Sequence, residues 1–155
     1  MNQNQVGRAG EYLTASYLAR HFDELFECPP QSRYDYLSVL DNISYKIQVK
    51  TSASTFIKNS NDWVRWDIKK KISNKNKMRL YGKDEVDIFA FVYLPLDKVI
   101  FLPNENLGKT YQKKLEFVKG FNAVESLKTA IEIIDILRER ENDTESKSAI
   151  RAVSS

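Results

Sequence analysis

Apolar residues recur every three to four positions over residues 5–22, where Val6, Leu13 and Tyr17 share a stripe with Ala9 and leave Arg8 and Arg20 toward water. That spacing predicts a helix. A second helix is predicted over 123–140, with Val124, Leu127, Ile131, Ile134 and Leu137 on one stripe. Between the two the period falls to two. Residues 24–28 (ELFEC) read as a short strand stopped by Pro29-Pro30. Residues 34–40 and 43–51 alternate and flank Asp41-Asn42, a favourable two-residue hairpin turn, so they are expected to pair antiparallel. Residues 52–62 read as a polar connection, and 63–68 as a strand or a short helix. Residues 86–94 (VDIFAFVYL) are almost continuously apolar, as in a strand buried on both faces, with 98–103 as its hairpin partner after Pro95. The stretch 104–122 favours neither helix nor strand. From about residue 142 the chain is polar and is expected to be mobile. The pattern therefore predicts one α/β domain over 1–141 and a polar tail over 142–155.

Composition narrows the chemistry. With one cysteine (Cys28) and one histidine (His21) among 155 residues, cysteine-based zinc sites, internal disulfides and Ser-His-Asp catalysis lack the material they need. The absence of an apolar run long enough to cross a bilayer, and of a signal-peptide pattern, leads to the expectation of a cytoplasmic protein with no membrane partner, nucleoid-associated if bacterial. Net charge is only +3, but its distribution is uneven. Arg65, Lys69, Lys70, Lys71, Lys75, Lys77, Arg79 and Lys83 face a single acid, Asp67, within 19 residues that also hold Trp63's neighbour Trp66 and Tyr81. Such a segment suits contact with DNA phosphates, or else forms a solvated loop. Trp63 and Trp66 themselves read first as packing residues.

The stretch SYKIQVKTS (44–52) holds the candidate chemistry. In a strand, Tyr45, Ile47 and Val49 face one way, as core, and Lys46, Gln48 and Lys50 face the other. A hairpin closing at Asp41-Asn42 pairs positions that bring Asp35 opposite Gln48. A carboxylate, an amide and an ammonium then share one patch, with Glu11 supplied by the first helix. Hard oxygen donors of this kind suit Mg²⁺ (or Mn²⁺), with Asp35 as the central ligand, helped by Glu11, the side-chain oxygen of Gln48 and the carbonyl of Val49. Lys50 would orient a water and stabilise charge on a phosphate. Each residue also has an ordinary reading: Glu11 as a helix-surface acid, Asp35 as a turn cap, Asp84 and Asp87 as shaping the entry to the strand at 86–94.

These residues resemble the PD-(D/E)xK nuclease superfamily, and within it the subgroup of a cyanobacterial group I intron homing endonuclease. The resemblance is carried by GRAGEYLTASYLARHF, SRYDYLSVLDNISYKIQVKTS and YGKDEVDIFAFVYLPLDKVIFLP, over most of the first 103 residues. It implies a restriction-endonuclease-like core, a mixed central β-sheet flanked by helices in the order αβββαβ. It also implies a site-specific, Mg²⁺-dependent DNA endonuclease with Glu11, Asp35, Gln48 and Lys50 as catalytic residues. Two positions depart from the family pattern. Tyr34 stands where a proline precedes the aspartate, and Gln48 stands where an acid precedes the lysine. In relatives with glutamine there, a helix glutamate makes up the charge, and Glu11 holds that place.

Two rivals remain: a Holliday-junction resolvase, and a DNA-binding module whose nuclease site has decayed. A single active site cuts one strand, so a double-strand break in duplex DNA leads to the expectation of a homodimer or homotetramer.

Overall fold

The computed structural model describes residues 1–72, 77–79, 82 and 84–154, with the backbone alone described at 70–72 and 77–79. Helix α1 (Gln3–His21) starts two residues before the sequence predicts, because Asn2 forms a capping box with Gln5. Strands β1 (Glu24–Glu27), β2 (Tyr36–Leu40) and β3 (Ile43–Ser52) follow as an antiparallel meander. Asp41 and Asn42 both adopt positive φ, 52° and 64°, as a two-residue turn matched to strand twist requires. The register pairs Tyr36 with Ile47, the pairing that the turn position predicts.

Strand β8 (Ile88–Tyr93) runs parallel to β3 and is buried throughout; β9 (Lys98–Pro103) returns antiparallel beside it. A one-turn 3-10 helix, Leu94–Leu96, joins them. The result is a five-stranded mixed sheet in the order β1-β2-β3-β8-β9. Its make-up between the parallel strands differs from a simple αβββαβ order. The link holds β4 (Phe56–Lys58), β5 (Asn61–Asp67), β6 (Lys70–Ile72) and β7 (Lys77–Arg79), and no helix among the described residues. The cause is visible in β5, where Val64 and Trp66, followed by Ile68, keep a period of two and bury one face. The supposed polar connection thus folds back as β4, pairing Phe56 with Trp63. Within 104–122, Thr110–Lys114 forms β10, which pairs with β5, and Leu115–Lys119 forms the short helix α2.

The two faces of the main sheet have different covers. Tyr36, Tyr45, Ile47, Ala90 and Phe101 pack beneath Leu18 of α1 and Leu127, Ile131 and Ile134 of α3 (Ala123–Ser154). The opposite face, with Phe89, Phe91 and Tyr93, packs on Val64 and Trp66 of the sheet β10-β5-β4 and on Val118 of α2. Helix α3 continues well past residue 140, where the sequence pattern ends it, and the part beyond Arg138 is exposed. No apolar stripe marks that extension, so periodicity could not detect it. Val124, expected on the buried stripe, is 50% exposed, and Ala123 and Ala130 take the inward positions instead. No described helix is long and apolar enough to cross a membrane.

One contact sets how α1 lies on β3. Gly10 is buried, and a Cβ there would lie 1.9 Å from Oγ1 of Thr51 and 2.9 Å from its Cβ. Rotation of Thr51 moves the hydroxyl but not the Cβ, which is fixed to the strand. Gly10→Ala is therefore expected to push the helix off the sheet, at a cost of about 1–3 kcal/mol in urea unfolding. A loss below a few tenths of that would show that α1 rests elsewhere.

Candidate functional site

Strand β2 ends where the site begins. Asp35 is the residue before Tyr36, and its backbone N–H still donates to the Ile47 carbonyl at 2.9 Å. Its side chain then takes the role of the missing strand, with Oδ2 accepting from the Val49 N–H at 2.7 Å. The carboxylate is thus locked to β3 by the hairpin register. Alternation puts Gln48 and Lys50 on the same face as Asp35, while Ile47 and Val49 enter the core. The Gln48 amide lies against the Val49 carbonyl, with Nε2 at 3.4 Å. Rotating the terminal amide by half a turn sets Oε1 there instead.

Glu11 reaches the site from α1. The Tyr36 hydroxyl donates to the Glu11 carbonyl at 3.0 Å, tying this turn of the helix to β2. Gly10 seats the preceding residue on Thr51, next to Lys50. A cleft of about 690 Å³ is lined by Glu11, Val49, Lys50, Thr51, Arg65 and Asp67. Burial raises the pKa of Glu11, and the negative charges of Asp35 and Glu27 raise it further. Burial also raises that of Asp35, against which the Val49 N–H and the Lys50 ammonium pull downward. Asp35 thus hinders the ionisation of Glu11, and a cation held near the two would favour the charged form of both; Asp35 and Gln48 themselves lie beside the cleft and not in its lining.

A family model described as PD-(D/E)XK endonuclease matches residues 1–131. The chain belongs to this family. Membership makes it a nuclease by descent and implies DNA as substrate, and PD-(D/E)XK nucleases generally use divalent metal ions. Among solved structures the chain is similar to a bacterial homing endonuclease, I-Ssp6803I. The TM-score is 0.61 at 16% identity, covering 73% of this chain and 78% of that one, a likeness of fold. No curated protein matches.

The site residues of this PD-(D/E)XK chain fit a divalent cation. Asp35, Glu11, the Val49 carbonyl and the Gln48 amide are all hard oxygen donors, and Asp35 and Glu11 lack full compensation of their charge. Among the described residues no cluster of three His, Cys, Asp or Glu side chains is found, so two of the donors in such a set are not carboxylates. Of the basic residues named from sequence, Arg65 lines the cleft and Lys69 is half-buried. Lys70, Lys71, Lys77 and Arg79 lie on the β6–β7 hairpin, with Lys70 opposite Arg79, and Lys75 falls outside the described residues. Trp66 is core, as expected. Asp84 and Asp87 lie away from the cleft. Asp87 accepts from the Lys46 N–H at 2.8 Å and pairs with Arg138 at 3.2 Å, fastening α3 to the sheet.

Sequence reasoning missed Asp67 as a wall of the cleft and Tyr36 as the tether of α1. Asp67 comes close only through β5 folding over the main sheet, and Tyr36 alternates like any core residue.

The raised carboxyls make a pH-dependent prediction for the metal-free protein. Both groups hold protons more tightly in the folded chain than in the unfolded one. Their contribution to stability is full below the ordinary carboxylate range and is lost as pH rises through the raised values. Asp35→Asn keeps an acceptor for Val49 and removes one ionisation. In EDTA it is expected to melt above the wild type at pH 7, with the gap closing in acid. A melting temperature below the wild type at pH 7 would contradict this.

Proposed function

We propose that this protein is a site-specific endonuclease that breaks double-stranded DNA with Mg²⁺ (or Mn²⁺), in the manner of an intron homing enzyme. The observation that supports it most is the Asp35 carboxylate bonded to the Val49 N–H and coupled electrostatically to Glu11 and Lys50, which line the adjoining cleft. Asp35, Glu11, the Gln48 side-chain oxygen and the Val49 carbonyl would hold the ion. When bound, it supplies Lewis-acid polarisation of the scissile phosphate and a more acidic water. Asp35 is held rigidly by its hydrogen bond to β3, so its lone pairs are oriented before substrate arrives. Lys50, on the same face, positions the attacking water and offsets charge that builds on the phosphate. Glu11 restores the negative charge that Gln48 lacks relative to the family's usual acid. Arg65, on the far wall of the cleft, and the basic residues Lys69, Lys70, Lys71, Lys75, Lys77 and Arg79 hold the DNA backbone.

The homing reading rests on the fold likeness to a homing endonuclease and on the quoted sequence stretches. The test is to offer the protein linear duplex DNA and a four-way junction in Mg²⁺. Cleavage at one duplex site supports the proposal. Cutting confined to the junction would indicate a resolvase, and binding without cutting of either would indicate a decayed site. Because one active site severs one strand, the cutting species is a homodimer or homotetramer, measurable by sedimentation on and off DNA. A monomer that cuts both strands in one encounter would contradict this.

A further inference from the structure

The outer face of the second sheet is chemically unlike the rest of the surface. Val64 and Trp66 of β5 point into the core, so Trp63 and Arg65 point away from it. Strand pairing places Trp63 between Phe56 of β4 and Lys114 of β10, in one cross-strand row. Trp63 is partly exposed, and its indole N–H is held by the Lys58 carbonyl at 3.1 Å, which fixes the ring. The Lys58 ammonium lies 5.1 Å from that ring's centroid and the Lys114 ammonium 5.8 Å. The Arg65 guanidinium lies 5.4 Å from the Phe56 ring. No carboxylate pairs with Lys58, Arg65 or Lys114 among the described residues; the acid nearest in register on this face is Asp67.

We infer that this face, built on Phe56, Lys58, Trp63, Arg65 and Lys114, is a docking platform for the sugar-phosphate backbone of duplex DNA beside the scissile bond. The inference rests on the nuclease reading above and extends it to Phe56, Lys58, Trp63 and Lys114, which lie outside both the cleft and the basic hairpin. Two observations favour DNA as the occupant. The first is charge: three cations gathered on two aromatic rings, without acid partners among the described residues, complement a polyanion. The second is continuity, because Arg65 belongs both to this face and to the wall of the catalytic cleft. A strand of DNA leaving the cleft past Arg65 meets Trp63 next. Lys58 and Lys114 then take phosphates, and the fixed indole packs on the sugar between them. Contacts of this sort position the duplex and do not read its sequence.

The chain's two tryptophans allow a direct test, since Trp66 is 1% exposed and Trp63 is not. The full-length Asp35→Asn protein is titrated with a random-sequence duplex while acrylamide quenching of fluorescence is followed. Binding is then repeated across salt concentrations with Lys58→Gln/Lys114→Gln added, a change that leaves the Lys58 carbonyl in place. DNA is expected to protect the quenchable component, and the double substitution to flatten the slope of log K against log salt by about 1.8. Trp63→Phe should abolish the protected component, which assigns it. DNA that binds without protecting Trp63, or with an unchanged salt slope, overturns the platform and leaves the nuclease reading intact. Failure to bind duplex DNA at any salt concentration overturns both. The protection arm needs neither lysine substitution, so misfolding of that variant does not obscure the result.

Discussion

The Asp35→Asn protein is expected to bind duplex DNA within about tenfold of the wild type, or about 1.4 kcal/mol, and to have lost cleavage. The two properties separate because the residue does two things. Its Oδ2 accepts the Val49 N–H, a structural bond that an asparagine oxygen preserves. Its charge, raised in cost by burial and moderated by Lys50, is what a divalent cation at the cleft would use, and asparagine lacks it. Loss of one preorganised charge-stabilising group lowers a rate by about 10²–10³-fold, and removal of a central ligand should do at least as much. Lys50→Ala should fall similarly, without the change in metal affinity that Asp35→Asn produces. Calorimetric Mg²⁺ titration alongside single-turnover cleavage distinguishes these variants. Normal turnover by Asp35→Asn would remove the catalytic assignment altogether.

Trp66→Ala should lose about 3–5 kcal/mol of unfolding free energy, a large share of the roughly 5–15 kcal/mol available to a domain. Trp66 is 1% exposed and lies at the meeting of both sheets and α2. Its ring sits 5.7 Å from that of Phe91 in β8, 5.6 Å from Tyr111 in β10 and 6.3 Å from Phe121 after α2. Its indole N–H donates to the Val92 carbonyl at 2.8 Å. Truncation therefore opens a cavity and strands a buried acceptor at once. Trp66→Phe keeps most of the apolar volume and should cost clearly less. Since β5 also presents Arg65 to the cleft, loss of this packing should lower activity at temperatures where the main sheet still holds. A loss of less than about 1 kcal/mol would mean that the second sheet is stabilised elsewhere.

The core of the fold was legible along the chain where local rules are strong. The Asp41-Asn42 turn fixes a register, and a register determines which side chains share a face, so Asp35 opposite Gln48 was readable without coordinates. The uninterrupted apolar run at 88–93 is that of a strand covered on both sides, and it is. Local rules failed where partners are distant. Phe56–Lys58 is a strand only because β5 lies beside it, and residues 110–114 are a strand for the same reason. The extension of α3 past residue 140 has no packed face at all, so it left no periodic signal.

By itself the sequence determined the chemical identity of the candidate site: a carboxylate, an amide and a lysine at hairpin spacing and a second carboxylate on the first helix, in a chain with almost no histidine or cysteine to support other chemistries. It also determined the family, whose model matches residues 1–131 of the chain. Tertiary structure alone decided what surrounds those residues. The close approach of Gly10 to Thr51 sets Glu11 beside Lys50, and the folding of β5 over the main sheet brings Arg65 and Asp67 to the cleft. It likewise gathers Lys58 and Lys114 onto Trp63 from strands more than 50 residues apart. Contacts of this kind depend on the packing of whole surfaces, and no local pattern along the chain encodes them.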